Sequence, residues 1–266
     1  MALYLLSVKY ISRRQGQSAV GAAAYRSGQR LFQNDRVYDY TRRQDVVHTE
    51  IMLPEYAPQN YYDRQTLWTT VEQAEKRSDS RTAREIVVAL PRELALESQV
   101  LLLRSFVRSS FVEHGMCADI TIHSGDHYDD CYAKEEDTTF YSHNPHCHIM
   151  LTTRHVGPDG FSGKKCRVWD KRERLVQWRK DWADDQNRVL QRKGFESRVS
   201  HESNKTRGID REPTRHLGPV LTEMERRGIR TDLGNENRAI EARNKEHAER
   251  QRIFEHRSDW PHERSQ

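Results

Sequence analysis

The residues with the clearest chemical potential lie in His143-Asn-Pro-His146-Cys-His148-Ile-Met-Leu. On a β-strand, side chains two apart project from the same face. His146 and His148 therefore present two imidazoles together, and the apolar run behind them anchors the strand. Neutral imidazoles are good ligands for divalent metals. A buried pair is otherwise costly, because several ring nitrogens need partners. His123, at the end of the run CADITIH, is placed to add a third imidazole if its strand lies beside the first. His127 and His143 compete for that role on spacing alone. Glu85 stands inside the apolar run REIVVAL. It reads either as an acceptor for a ligand imidazole N–H or as a solvent-facing carboxylate. Three imidazoles leave coordination positions open for a phosphate oxygen, the arrangement of a Lewis-acid site acting on a phosphodiester.

Such a site needs a nucleophile. Tyr25 sits in SAVGAAAYRSG, where a full turn of small residues lets a helix pack closely and leaves the phenol as its main functional group. Arg26 beside it is suited to a phosphate.

Strands are expected over 2–11, 46–53, 84–90, 117–123 and 147–153. Helices are expected over 18–27, 60–78, 97–113 and 170–193, with Ser18 as an N-cap and Gly28 as a stop. That order predicts an α+β fold, a mainly antiparallel central sheet with helices on one face. Residues 124–142 form an acidic insertion without periodicity. The region 200–266 reads as a charged C-terminal tail, a linker plus one exposed helix or a partly disordered segment.

Composition narrows the function. The chain has 266 residues and a formal net charge of +4, with 35% hydrophobic residues. No stretch approaches the ~18 apolar residues of a membrane span. The start, MALYLLSVKYISRRQ, reads as a strand and not as a signal peptide. Four cysteines without a CxxC pair predict reduced thiols and a cytoplasmic protein. Neither GxGxxG nor a P-loop is present, which removes the dinucleotide and nucleoside-triphosphate readings. The charge is unevenly spread. Residues 1–43 and 164–198 each carry +6, and 44–163 carry −9. Two basic blocks around an acidic middle suit nucleic acid, although solvated surfaces give the same pattern. The first block supplies Arg26, Arg36, Arg42 and Arg43, with Tyr38 and Tyr40 among them. The second supplies Lys164, Lys165 and Arg167, with Trp169, Trp178 and Trp182 as stacking platforms or core. The expectation is a DNA groove in which the two blocks meet across the histidine site.

These pieces together resemble the MobA/MobL (MobQ-type) conjugative relaxases of the HUH endonuclease superfamily. The resemblance covers most of 1–220. It is carried by SAVGAAAYRSG, YDYTRRQDVVHTEIMLP, AREIVVALPREL, the strand ending at His123, NPHCHIMLTTR and EPTRHLG. It implies a relaxase domain over 1–199, followed by the tail. It implies a metal-dependent transesterase that nicks one DNA strand at a plasmid transfer origin, leaving a 5′-phosphotyrosine and a free 3′-OH. Tyr25 matches the nucleophile, His123, His146 and His148 match the ligands of Mg²⁺ or Mn²⁺, and Glu85 falls in a catalytic stretch. Implied partners are single-stranded DNA, accessory mobilisation proteins and a type IV secretion coupling protein, with transfer of the protein through the secretion channel. The insertion between His123 and His146 departs from the family pattern in its length and acidity. Alternatives are a rolling-circle replication initiator and a non-catalytic DNA-binding module of the same fold.

Overall fold

A computed structural model describes residues 4–125, 144–161, 163–215, 217, 220–221, 224–225 and 227–258. The chain separates into two compact units, divided between His201 and Glu202.

The larger unit is built on a five-stranded sheet. Its strands are β1 (Leu6–Ser12), β4 (Val46–Met52), β5 (Arg81–Ala89), β6 (Ala118–His123) and β7 (His146–Thr152). Their order is β1-β5-β7-β6-β4, and every neighbouring pair is antiparallel. β5 and β7 are buried along nearly all their length, so both of their faces must be apolar or internally paired. This explains their nearly continuous apolar runs.

Helices cover both faces, where the sequence pattern suggested one. On one face Ile86, Val88, Ile120, Ile122, Cys147 and Ile149 pack against α3 (Leu96–Ser110) and α4 (Arg172–Arg192). Phe106, Phe111, Trp178 and Trp182 dominate that interface, which makes the tryptophans core. On the other face Ala83 and Met150 meet α1 (Ala19–Ser27) and α2 (Arg64–Ala74). Small side chains let α1 lie close: Ala19, Val20, Ala23 and Ala24 are all fully buried. Ser18 caps α1 by accepting a bond from the Gly21 N–H, and Gly28 ends the helix in the left-handed region at φ 65°.

A hairpin of β2 (Arg30–Gln33) and β3 (Arg36–Asp39) follows α1 and was absent from the sequence reading. Its turn holds Asn34 at φ 52°, and its four-residue strands are too short for a clear alternation signal. A further short pair, β8 (Val156–Gly157) and β9 (Gly160–Phe161), precedes α4.

The second unit contains α5 (Asp232–Ser258). Thr231 caps it through the Gly234 N–H at 3.1 Å. The segment beginning at Glu212 is tied to α5, with the Asn244 side chain accepting from the Glu212 N–H and Arg243 paired to the Glu212 carboxylate. The start of EPTRHLG is therefore an anchoring strap for this helix.

Candidate metal centre and nucleophile

Strand register assembles the three imidazoles. His123 on β6 lies directly opposite His146 on β7, and His148 follows two residues later on the same face. The ring centroids are 5.2 Å apart for His123–His146, 4.9 Å for His123–His148 and 5.2 Å for His146–His148. One ligand nitrogen from each ring falls within 4.8 Å of the others. All three side chains are buried. His127 and His143, the competing third ligands, lie outside the described residues, as does most of the acidic insertion.

Each ring is oriented by a partner on its other nitrogen. His148 Nδ1 bonds Glu85 Oε1 at 2.6 Å, which directs Nε2 inward as the lone-pair nitrogen. Register explains the reach: Val87 is the direct neighbour of His148, and Glu85 sits diagonally on the same face. His146 Nδ1 meets the Asn144 carbonyl at 2.8 Å. His123 Nε2 meets the Arg26 carbonyl at 2.8 Å, which leaves Nδ1 as the acceptor. Burial drives the His146 imidazole down to about 3, with His148 adding to the effect. Burial likewise holds His123 well below the ordinary imidazole value, again with His148 and His146 contributing. Both rings are therefore neutral at pH 7, the protonation state a metal requires. Three buried, individually oriented imidazoles fit a divalent cation.

Arg26, expected to meet DNA, has a different task. It is buried, and its guanidinium forms a two-pronged pair with Glu85, Nε to Oε1 and Nη2 to Oε2, the latter at 2.7 Å. Burial alone would raise the Glu85 carboxyl, but Arg26 and His148 outweigh it and hold the group well below its usual range. Glu85 is thus a buried carboxylate gripped by a cation on one side and an imidazole on the other. Of its two sequence readings, the structure supports the acceptor. Because Arg26 touches both His123 and Glu85, the last turn of α1 is fastened to the histidine cluster, and Tyr25 is the residue before it.

Tyr25 is half-buried. The Arg43 guanidinium lies over its ring, 4.4 Å from the centroid, and Tyr40 meets it edge-on at 5.2 Å. Arg43 is itself held by Asp45, Nε to Oδ1 at 2.9 Å and Nη2 to Oδ2 at 2.5 Å. Asp45 Oδ2 stands 3.6 Å from His123 Nδ1. Sequence reasoning missed Asp45. It became a neighbour of His123 only through the pairing of β4 with β6, which sets Val46 opposite His123.

The remaining cations divide. Arg36, Arg42, Lys164 and Arg167 are exposed. Lys165 pairs with Glu75 at 3.0 Å and donates to the Arg81 carbonyl. The two basic blocks do meet, but at Glu75 and not across the histidines. Arg13 donates to the Glu75 carbonyl at 2.9 Å, and Arg154 bonds its carboxylate at 3.1 Å. This meeting point lies beyond the far end of β7. The strand rises ~13 Å between His148 and Thr152 alone. Lys164, Lys165 and Arg167 line a cleft of about 830 Å³ there, with Arg77 and Arg81.

The model of the MobA/MobL family matches residues 17–227. The chain belongs to the MobA/MobL family. Among MobA/MobL relatives, it is 38% identical over 247 residues to "Mobilization protein MobL" of Acidithiobacillus ferridurans, which covers 85% of this chain and 65% of that protein. It is 31% identical over 286 residues to "Mobilization protein A" of Escherichia coli, covering 100% of this chain and 36% of the relative. Against "Conjugal transfer protein TraA" of Agrobacterium fabrum it is 32% identical and spans 23% of the length. This MobA/MobL chain thus covers less than two thirds of each of these proteins. A solved structure described as "Molecular Basis of Vancomycin Resistance Transfer in Staphylococcus aureus" superposes with a TM-score of 0.65 at 32% identity, over 76% of this chain and 100% of that one. Among the described residues no helix is long and apolar enough to cross a membrane.

Proposed function

We propose that this chain is a relaxase that nicks one strand of plasmid DNA at a transfer origin by transesterification. The observation that carries the reading is the fastening of the Tyr25 turn, through Arg26, to a buried cluster of three imidazoles. Hydrolysis by a metal site alone would not require a tyrosine helix tied to the ligands. Membership of a mobilisation family favours a transfer origin over a replication origin as the target.

In this reading the Tyr25 oxygen attacks the scissile phosphorus. The Oη–P bond forms, the P–O3′ bond breaks, and the 3′ oxygen takes a proton. The products are a 5′-phosphotyrosine and a free 3′-OH. Phosphoester energy is retained, so the 3′-OH can reverse the reaction without ATP. His123, His146 and His148 would hold a divalent ion, Mg²⁺ or Mn²⁺, which supplies Lewis-acid stabilisation of phosphate charge. Glu85 keeps His148 in the tautomer that ligates, and Arg26 keeps Glu85 ionised. Arg36 and Arg42, exposed after the nucleophile helix, serve the DNA backbone, as do Lys164 and Arg167 at the far cleft. The catalytic region is assigned to 1–199 and the charged tail to 200–266. The protein acts in the bacterial cytoplasm with accessory mobilisation proteins. A type IV secretion coupling protein then passes it, with the DNA, to the recipient.

The test is incubation with labelled single-stranded oligonucleotides from the host plasmid's transfer region, with Mg²⁺ or Mn²⁺. A denaturation-resistant protein–DNA adduct is expected, lost on Tyr25→Phe and on chelation. An adduct that survives Tyr25→Phe assigns the nucleophile elsewhere.

A further inference from the structure

Arg43 was expected to be a DNA contact, yet its hydrogen bonds are committed within the protein. Asp45 takes two of its donors, and the Tyr25 carbonyl accepts a third at 3.3 Å. Its guanidinium also lies over the Tyr25 ring, 4.4 Å from the centroid. The Arg43 and Asp45 side chains are only 11% and 9% exposed, so this pair is a fixture of the fold and not a mobile surface bridge. Asp45 is anchored in turn, since its carbonyl accepts the Ser124 N–H at 2.9 Å. A guanidinium spent in this way offers no open fork to a phosphate.

We propose that Arg43 is the fixed cation that holds the Tyr25 phenol and favours its phenolate. This rests on the reading of Tyr25 as the nucleophile. A free phenol ionises near ~10 and is mostly protonated at neutral pH. A nucleophile of that kind needs a base or a neighbouring charge. Arg43 cannot take the proton, because a guanidinium stays charged. The proton leaves to water before attack, and the cation stabilises the anion left behind. Charge then passes from the phenolate oxygen to the phosphate as Oη–P forms, and leaves with O3′ as P–O3′ breaks.

Among the described residues, the charged groups nearest the Tyr25 ring point to Arg43 for this role. Arg26, on the same helix, stands farther off, with its guanidinium carbon 6.0 Å from the ring centroid against 4.4 Å for Arg43. Tyr40 contributes a ring edge. Asp45 lies behind Arg43 and fixes its plane. The Arg43 charge also reaches His123 and His146, where it opposes protonation and so favours the ligand form of both rings.

The deciding experiment needs neither DNA nor metal. Tetranitromethane modifies tyrosine through its phenolate. The chelated full chain is treated across a pH series, and each nitrated tyrosine is located by peptide mass spectrometry. In the wild type, Tyr25 should react at a lower pH than exposed Tyr62. In Arg43→Gln its midpoint should rise by about one pH unit or more towards that of Tyr62, and Arg43→Lys should fall between. Circular dichroism checks that each variant is folded, and Arg43→Lys serves if Arg43→Gln is not. Equal midpoints for Tyr25 in the wild type and a folded variant overturn the proposal. Single-turnover adduct formation supplies the second arm. Its rising pH limb should move with the nitration midpoint, with a loss of about 10-fold or more at pH 7. Loss of oligonucleotide affinity with an unmoved pH profile would make Arg43 a plain DNA contact. A wild type that forms no adduct at all would instead remove the relaxase reading, while the nitration series still decides what Arg43 does to Tyr25.

Discussion

Glu85 concentrates the energetics of the site in one side chain. It is buried, ionised, and shared between Arg26 and His148. Breaking a buried pair leaves a desolvated charge behind, typically a loss of about 3–5 kcal/mol. Glu85→Gln should cost a stability of that order in denaturant titrations. It should also weaken metal binding by about 10- to 100-fold, because the His148 ring loses the partner that orients it. Replacing Arg26 by Met together with Glu85 by Leu should recover much of the stability and none of the metal affinity. If Glu85→Gln alone leaves both quantities unchanged, the carboxylate does not organise the site.

The helix carrying Tyr25 depends on close approach. A β-carbon at Gly21 would stand 2.7 Å from the Tyr38 ring on β3. Gly21→Ala must therefore displace the Tyr38 ring, and overpacking of this kind costs about 1–3 kcal/mol. Thermal denaturation should show that loss although alanine is the better helix former. In the second unit, Arg238 and the Thr231 amide and hydroxyl hold the Glu225 carboxyl at about 2. A carboxyl depressed on folding stabilises the fold above its unfolded value of 4.5 and loses that contribution as the pH falls towards about 2. Acid unfolding of α5, followed by helical dichroism of the full chain, should thus lose part of its dependence over that window in Glu225→Gln. An unchanged acid profile would show that the carboxylate does not secure the start of α5.

For the whole molecule, the three clustered imidazoles come from two strands separated in sequence by the acidic insertion. A bound ion therefore joins segments that are far apart along the chain, and binding to the folded state alone raises its stability. Mn²⁺ at about 100 times its dissociation constant should stabilise the wild type by about 2.7 kcal/mol. For a chain of this size that is roughly 5–10 °C in melting temperature. The His146→Ala, His148→Ala double variant should show no such rise. A rise that persists in the variant places the ion elsewhere.

Much of this protein was legible before folding was considered. The pair His146 and His148 declared itself because strand periodicity is two, so adjacent imidazoles share a face whatever lies around them. The cap at Ser18, the stop at Gly28 and the apolar runs of β5 and β7 are local signals, and local signals survive without tertiary context. The short β2–β3 hairpin lacked one. What only the tertiary structure decided are the meetings between distant residues. Register across β6 and β7 set His123 opposite His146, and the diagonal across β5 and β7 gave Glu85 its imidazole. Charge counted along the chain could not tell that Arg26 is buried against Glu85, that Arg43 lies on Tyr25, or that the basic blocks meet at Glu75. A cation's role depends on which carboxylate reaches it once water is excluded, and that pairing is a property of the folded chain.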